Sequence, residues 1–137
     1  MTETVLKTGR YKLLIACAIN LLAVSTVFMT QPIFLEISGT FHIDITQARF
    51  SFSIVSLFYA ASFIFLGPVA DKFELPKIAV TGVVLLAVTV FWSSYAGSYR
   101  MFMVSMSLMG IFAALIPASM FPYIAKTSPK TKTGLYM

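Results

Sequence analysis

Charged residues are scarce in this sequence and are missing altogether from four long stretches. Asp, Glu, Lys and Arg make up 11% of its 137 residues, against roughly 25% in an ordinary soluble domain. None of the four occurs in residues 13–35, 50–70, 78–95 or 101–125. Each stretch is close to the ~20 residues that a helix needs to cross ~30 Å of hydrocarbon. The sequence therefore excludes a water-soluble protein and predicts an all-α integral membrane protein with four transmembrane helices.

Residues that could carry catalysis, bind a metal or bind a nucleotide are also few. The single cysteine, Cys17, lies in the first span and is interpreted as a small packing residue, since it has no partner for an internal disulfide. His42 is the one histidine, and no cluster of His, Cys and acidic residues has metal-ligand spacing. The sequence has no P-loop, and no acidic residue lies within a span to act in a proton relay. We therefore expect no enzymatic activity, no metal site and no cofactor.

The basic residues indicate the orientation of the chain in the membrane. There are ten Lys and Arg against five Asp and Glu. Counted from a cytoplasmic N-terminus, eight of the ten fall on the cytoplasmic side: Lys7, Arg10, Lys12, Lys72, Lys77, Lys126, Lys130 and Lys132. Arg49 and Arg100 fall on the other side. Because positive charge is retained in the cytoplasm, we expect both termini to be cytoplasmic in a plasma membrane, with the lipid bilayer rather than nucleic acid as the partner.

The same stretches divide the chain into three parts. Residues 1–12 are predicted to be a cytoplasmic N-terminus, and residues 13–125 are predicted to be the membrane domain. Residues 126–137 are predicted to be a cytoplasmic loop followed by the start of a truncated fifth span, because residues 134–137 turn apolar again.

Two connections carry signals for the start of a helix. The polar residues 36–48 are predicted to form an external loop, in which Asp44 or Thr46 caps the second span by accepting its free amide hydrogens. Pro76 is expected in the first turn of the third span, where its missing N–H costs little.

Asn20 and Gln31 are the amide side chains of the first span. They are eleven residues apart, which is three turns of a continuous helix and places both on one face, over about 16 Å at ~1.5 Å per residue. One interpretation is that they line an aqueous cavity and hydrogen-bond a solute. The other is that each amide bonds a neighbouring helix. The sequence leaves both interpretations open.

Small residues recur at every fourth position of the fourth span. Gly110, Ala114 and Ala118 form this row, and small residues at such a spacing allow another helix backbone to approach closely. Pro117 lies on the same side and removes one helix hydrogen bond, which favours a bend. We expect the row to be a helix-packing surface.

The connection between the second and third spans reads Gly-Pro-Val-Ala-Asp-Lys-Phe over residues 67–73. It resembles the signature Gly-x-Leu-Ala-Asp-Arg-x-Gly-Arg-Arg between helices two and three of the major facilitator superfamily. Gly67 and Asp71 fall at the glycine and aspartate of that signature, and Lys72 replaces its first arginine. Beyond them the match fails, since residues 74–76 read Glu-Leu-Pro where the signature has its second glycine and its basic pair.

Two further segments are similar to bacterial members of that family. One is Gln31-Pro32 followed by a loop and a serine-rich helix, and the other is residues 110–123, which look like the fourth helix of such proteins. The resemblance covers essentially the whole chain after its first ten residues. Met106 and Met109 depart from it, because many proton-coupled drug exporters of the family carry an arginine and a glutamine there. This departure argues against proton-coupled drug export.

The resemblance implies a fold and a function. Such transporters have two six-helix halves, each built from inverted three-helix repeats, with the solute site between the halves. The chain is then a partial N-terminal half, part of a secondary transporter for a small solute in a bacterial inner membrane. It lacks the remainder of the transporter, and we expect it to be inactive alone. A non-transporting four-helix membrane protein that acts by helix association is the alternative. A small multidrug exporter is less favoured, because the first span lacks the glutamate of that family.

The resemblance also implies a gating motif of Gly67, Asp71 and Lys72. In the family the aspartate lies at the cytoplasmic gate and contacts cations and a helix terminus of the other half. A carboxylate stabilises a helix N-terminus by up to ~1 kcal/mol, so this contact would bias the inward- and outward-facing states. The alternative is that Asp71 is an ordinary charge beside the membrane that only orients its loop.

Overall fold

The computed structural model describes the backbone of residues 2–70 and 74–127, and the side chains of residues 11, 13–66 and 74–124. Over these ranges the chain forms five α-helices, a short 3-10 turn and no strand. The helices are α1 (Thr2–Phe28), α2 (Phe34–Phe41), α3 (Ile45–Ala70), α4 (Leu75–Ser94) and α5 (Tyr99–Thr127).

Four helical segments are long and apolar enough to cross a membrane, which confirms the predicted all-α fold with four spans. Their mean hydropathies lie between 1.6 and 2.2. They cover Leu13–Phe41, Ile45–Leu66, Leu75–Ser94 and Tyr99–Ile124. Pro76 lies in the first turn of α4, as the sequence predicts.

The first span is interrupted within the membrane-spanning stretch. α1 ends at Phe28, a 3-10 turn occupies Gln31–Ile33, and α2 follows directly. Pro32 explains the interruption, because it has no N–H to donate to the Phe28 carbonyl four residues earlier. The N–H of Ile33 donates instead to the Thr30 carbonyl at 3.3 Å, which is the closer spacing of a 3-10 turn. The helix can resume after Pro32, because a proline in the first turn of a helical segment costs little.

The loop predicted over residues 36–48 is wrong for most of its length. α2 is helical through Phe41, and its Ile37 is buried while Glu36, Gly39 and Thr40 are exposed. His42 ends the helix in a left-handed conformation with φ 51°, and its N–H donates to the Ser38 carbonyl. The connection to α3 is therefore three residues long.

Asp44 caps α3, which confirms one of the two predicted caps. Its Oδ2 accepts a hydrogen bond from the N–H of Thr46 at 3.0 Å, and its own N–H donates to Oε1 of Gln47 at 3.3 Å. The first bond is an N-cap, and the second is the return bond that a capping box also contains. The hydrogen bonds from Thr46 lower the pKa of Asp44, and the nearby Arg49 acts in the same direction.

Acid is expected to weaken this cap. Because the pKa of Asp44 is lower in the folded chain than in the unfolded one, its contribution is complete above the unfolded pKa and is lost as pH falls through the folded pKa. Asp44→Asn retains a capping oxygen but does not titrate. Thermal unfolding midpoints measured from pH 7 to pH 3 should therefore fall more steeply for the wild type than for Asp44→Asn. Parallel curves would contradict the role of the Asp44 charge.

α5 lies at the centre of the helix packing. It packs extensively against α3 and α4 and less extensively against α1. Its most apolar window is 56% buried, whereas the corresponding windows of the other three spans are 17–28% buried. Two glycines allow the close contacts. A Cβ at Gly110 would collide with the Val55 carbonyl oxygen of α3, and a Cβ at Gly82 of α4 would lie 3.0 Å from the Leu115 Cβ of α5.

The α2–α3 end of the bundle, around residues 42–44, is held together by aromatic contacts and one long-range hydrogen bond. The Phe41 ring at the end of α2 lies 6.0 Å from the Tyr99 ring and 5.4 Å from the Phe102 ring of α5. The Tyr99 hydroxyl donates to the Gln47 carbonyl in the first turn of α3. α2 is therefore attached to α5, and α5 to α3, at this end.

Candidate functional site

Asn20 and Gln31 do not lie on one continuous helix, so the geometry predicted for them is wrong. Asn20 is in α1, whereas Gln31 begins the 3-10 turn after the interruption. The register that would place them on a common face is lost where α1 ends at Phe28. Asn20 is partly buried, and Gln31 is exposed on this four-span unit. Their roles as cavity residues stay a prediction.

Asn20 belongs instead to a row of α1 side chains that we call the α1 seam. The row has spacings of three and four residues, which keep its members on one helix face. It consists of Leu13, Ala16, Asn20, Ala23, Val27 and, beyond the end of α1, Thr30. Five of these residues are buried, and Asn20 is partly buried. Because α1 packs chiefly against α5, the seam is the α1 side of that contact.

One oxygen atom of each polar side chain of the seam lacks a hydrogen-bond partner. Among the described residues, Oδ1 of Asn20 and Oγ1 of Thr30 are the buried side-chain oxygen atoms without a partner, and each has less than 1 Å² of accessible surface. There is accordingly no room beside either atom for a water molecule. A buried polar group left in this condition costs about 1–3 kcal/mol.

Thr30 differs from the other buried hydroxyl residues of the described chain. Ser51, Thr89, Ser105 and Ser119 each donate to a carbonyl of their own helix at 2.7–3.0 Å. They lie inside continuous helices, where a carbonyl three or four residues earlier is in reach. Thr30 lies two residues beyond the end of α1, and the Thr26 carbonyl of that last turn accepts from the N–H of Met29 at 3.3 Å. Sequence reasoning missed Thr30, although it continues the spacing of the seam.

The small-residue row of α5 is buried throughout. Ala114 is 0% exposed and Ala118 6% exposed, and Gly110 is also buried. At Gly110 the backbone of α3 is close, since an added Cβ would lie 3.0 Å from the Tyr59 nitrogen besides its collision with Val55. Met106 and Met109 are 1% and 0% exposed, so the two positions that depart from the proton-coupled exporters are filled with apolar side chains in the interior.

The gating motif falls mainly outside the described residues. Asp71 and Lys72 lie between the two described ranges, and Gly67 is described only by its helical backbone in α3. After the gap, Glu74 and Lys77 form an exposed ion pair of 3.0 Å at the start of α4. Exposed pairs of this kind stabilise little. The gate role of Asp71 therefore stays a proposal.

A metal centre finds no support in the part of the chain that the structure describes. No group of three or more His, Cys, Asp or Glu residues that could hold a metal ion occurs there. Cys17 is exposed and unpaired. The polar chemistry of the described spans is therefore carried by amides and hydroxyls, and the α1 seam and the 3-10 turn hold the three residues of most interest, Asn20, Thr30 and Gln31.

Comparison with known proteins gives a family match and distant relatives. The family model described as Major Facilitator Superfamily matches residues 13–137. The uncharacterized transporter YgaY of Escherichia coli strain K12 is 27% identical over 113 residues, and YgaY of Escherichia coli O157:H7 matches to the same extent. The aligned region is 82% of this chain but 28% of each relative, so the chain spans little more than a quarter of the curated relatives it matches. No solved structure matches the chain significantly.

Proposed function

The chain belongs to the major facilitator superfamily, and we propose that it supplies the first four membrane helices of a secondary transporter for a small solute. The observation that carries this proposal is the family match over residues 13–137, a range that contains all four long apolar helices. The transporter name of the relatives in Escherichia coli supports it. Transport in this family takes place between two halves that expose the solute site alternately to each side of the membrane.

We place the solute contact of this unit at the interrupted first span. Irregular backbone at membrane depth is tolerated where it is buried in protein or lines a water-filled cavity, and broken spans are where transporters of several folds bind their solutes. Gln31 lies in the 3-10 turn and is exposed on the four-span unit, so its amide is free to meet a polar solute. Asn20 lies in the α1 seam with its Oδ1 buried, so we assign this contact to Gln31.

The activity needs more than these residues. The chain spans 28% of the length of its relatives, and alternating access requires an opposing half. We therefore propose that residues 1–137 do not transport by themselves. They act together with helices that correspond to the remaining length of the relatives, in the inner membrane of a bacterium with the N-terminus in the cytoplasm.

A chimera tests this assignment. The 113 aligned residues of this chain would replace the matching 28% of YgaY, and liposomes loaded with a small-metabolite extract would be followed by mass spectrometry. The chimera should release the same compounds as YgaY, and the 137-residue chain should release no more than protein-free liposomes. Release by the short chain would contradict the need for an opposing half. A folded chimera that is inactive where YgaY is active would favour the alternative, helix association without transport.

Asp71→Asn in that chimera is expected to slow transport more than it lowers stability. Loss of a carboxylate contact with a helix N-terminus, worth up to ~1 kcal/mol, changes the ratio of the two access states by about fivefold. The matched control is Glu74→Gln, which removes the next acidic side chain, one already engaged by Lys77 at 3.0 Å. Its transport rate should stay at the parental value. An unchanged rate in Asp71→Asn would refute the gate role.

A further inference from the structure

We propose that α1 has a second position against α5, reached by rotation about a hinge at residues 29–33, in which Asn20 and Thr30 form the hydrogen bonds that they lack here. The inference deepens the proposed function, because it identifies a moving helix within the four-span unit. It rests on four observations: the interruption of the first span, the attachment of α2, the close packing of α3 and α4 on α5, and the two unbonded oxygens.

The hinge is the short segment between α1 and α2. Its two flanking helices are not joined by a continuous hydrogen-bond ladder, because Pro32 has no N–H and the N–H of Ile33 donates to Thr30 instead of to Met29. Sharp changes of direction in helices occur at such interruptions. α1 can therefore change its angle relative to α2 without breaking the backbone hydrogen bonds within α2.

The rest of the unit offers no comparable freedom. α2 is attached through Phe41 to Tyr99 and Phe102 of α5. α3 and α4 approach α5 so closely that a single added methyl group at Gly110 or Gly82 would meet atoms of the neighbouring helix. Tightly packed interfaces of this kind resist displacement. By contrast, four of the six residues of the α1 seam are alanines or polar residues, with Leu13 and Val27 as its larger apolar members.

The two unbonded oxygens disfavour the present position of α1 relative to one in which they are bonded. Oδ1 of Asn20 and Oγ1 of Thr30 have neither a partner in the described residues nor space for water. Each such atom disfavours this position by about fivefold or more relative to one in which it is bonded. Asn20 lies on the surface that a rotation of α1 would change and Thr30 lies in the hinge itself, whereas the hydroxyls buried elsewhere in the described spans are already bonded.

Distance measurements between spin labels test the second position. The native Cys17 is exposed on α1, and Val84→Cys adds a second exposed site on α4. The whole 137-residue chain in lipid nanodiscs should give two distance populations for this pair. A control pair, Leu57→Cys with Val84→Cys in a Cys17→Ser background, joins exposed sites on α3 and α4 and should give one.

Two substitutions should shift the populations in the same direction. Thr30→Val and Asn20→Leu each remove an unbonded polar group, so each should favour the present position by about fivefold or more. Thr26→Val is the matched control, since the Thr26 hydroxyl already donates to the Leu22 carbonyl at 2.8 Å; it should leave the ratio unchanged. Thr30→Ser keeps the hydroxyl and should behave as the wild type.

Several results would overturn the inference. A single distance population for the pair Cys17 and Val84→Cys, with no other substitution, would exclude a second position. A ratio of the two populations that neither Thr30→Val nor Asn20→Leu changes would exclude it as well. If one of these two variants does not fold, the other carries the test alone. None of these readouts measures transport. A single distance population would therefore refute the hinge without refuting the transporter role, and an inactive chimera would refute the transporter role without refuting the hinge.

Discussion

Gly110→Ala is expected to destabilise the protein, even though alanine is the better helix former. In a helix interior the change from glycine to alanine contributes ~1 kcal/mol of propensity. At Gly110, however, the new Cβ would collide with the Val55 carbonyl oxygen and lie 3.0 Å from the Tyr59 nitrogen and 3.1 Å from the Phe58 Cβ. Backbone atoms cannot turn aside as the end of a side chain can. A collision with backbone atoms belongs at the upper end of the 1–3 kcal/mol that overpacking costs, which leaves a net loss of about 2 kcal/mol after the gain in propensity.

The same substitution at two other glycines provides the controls for Gly110. Nothing lies within 4 Å of a Cβ built at Gly39, so Gly39→Ala should be neutral or stabilising. Gly82 is intermediate, since its nearest neighbours are the Cβ of Leu115 at 3.0 Å and the Cγ1 of Ile116 at 3.2 Å. Unfolding midpoints in detergent should therefore decrease in the order Gly39→Ala, Gly82→Ala, Gly110→Ala. Equal midpoints for the first and last variants would contradict the close α3–α5 contact.

The four spans could be predicted from the sequence, because the length of a charge-free stretch is a direct consequence of the thickness of the bilayer. The start of α3 could be predicted as well, since the Asp44 cap is a local interaction between near neighbours. Helix α2 could not be predicted. Pro32 is compatible with the end of one helix and with the first turn of another, and the polar and glycine residues of α2 are typical of a loop.

The assumption that the first span is one continuous helix affects the interpretation of several of its residues. The prediction of one face for Asn20 and Gln31 assumes a continuous helix, and the interruption after Phe28 breaks the register between these two residues. Thr30 attracts no attention in the sequence, because a lone threonine in a span usually donates to a carbonyl of its own helix. Its unusual state follows from its place beyond the end of α1, which only the three-dimensional structure reveals.

Met106→Arg is expected to destabilise the four-span unit strongly. Met106 is 1% exposed and lies in the core cluster with Met109. Arginine at this position would bury a charge among apolar side chains, and none of the buried residues of the described chain is acidic. A charge at the centre of a span costs about 2.5–3.5 kcal/mol on insertion scales. Met106→Leu conserves volume and should cost less than about 1.5 kcal/mol. Unfolding midpoints of the two variants in detergent measure the difference.

The result for Met106→Arg also decides how this chain relates to the proton-coupled drug exporters of its family. Many of those exporters carry arginine at the matching position, where a water-filled cavity must accept the charge. If α5 presents Met106 to a packed interior, arginine is excluded at this position. If Met106→Arg unfolds at the wild-type temperature, that face of α5 opens onto water, and the argument against proton-coupled export no longer stands.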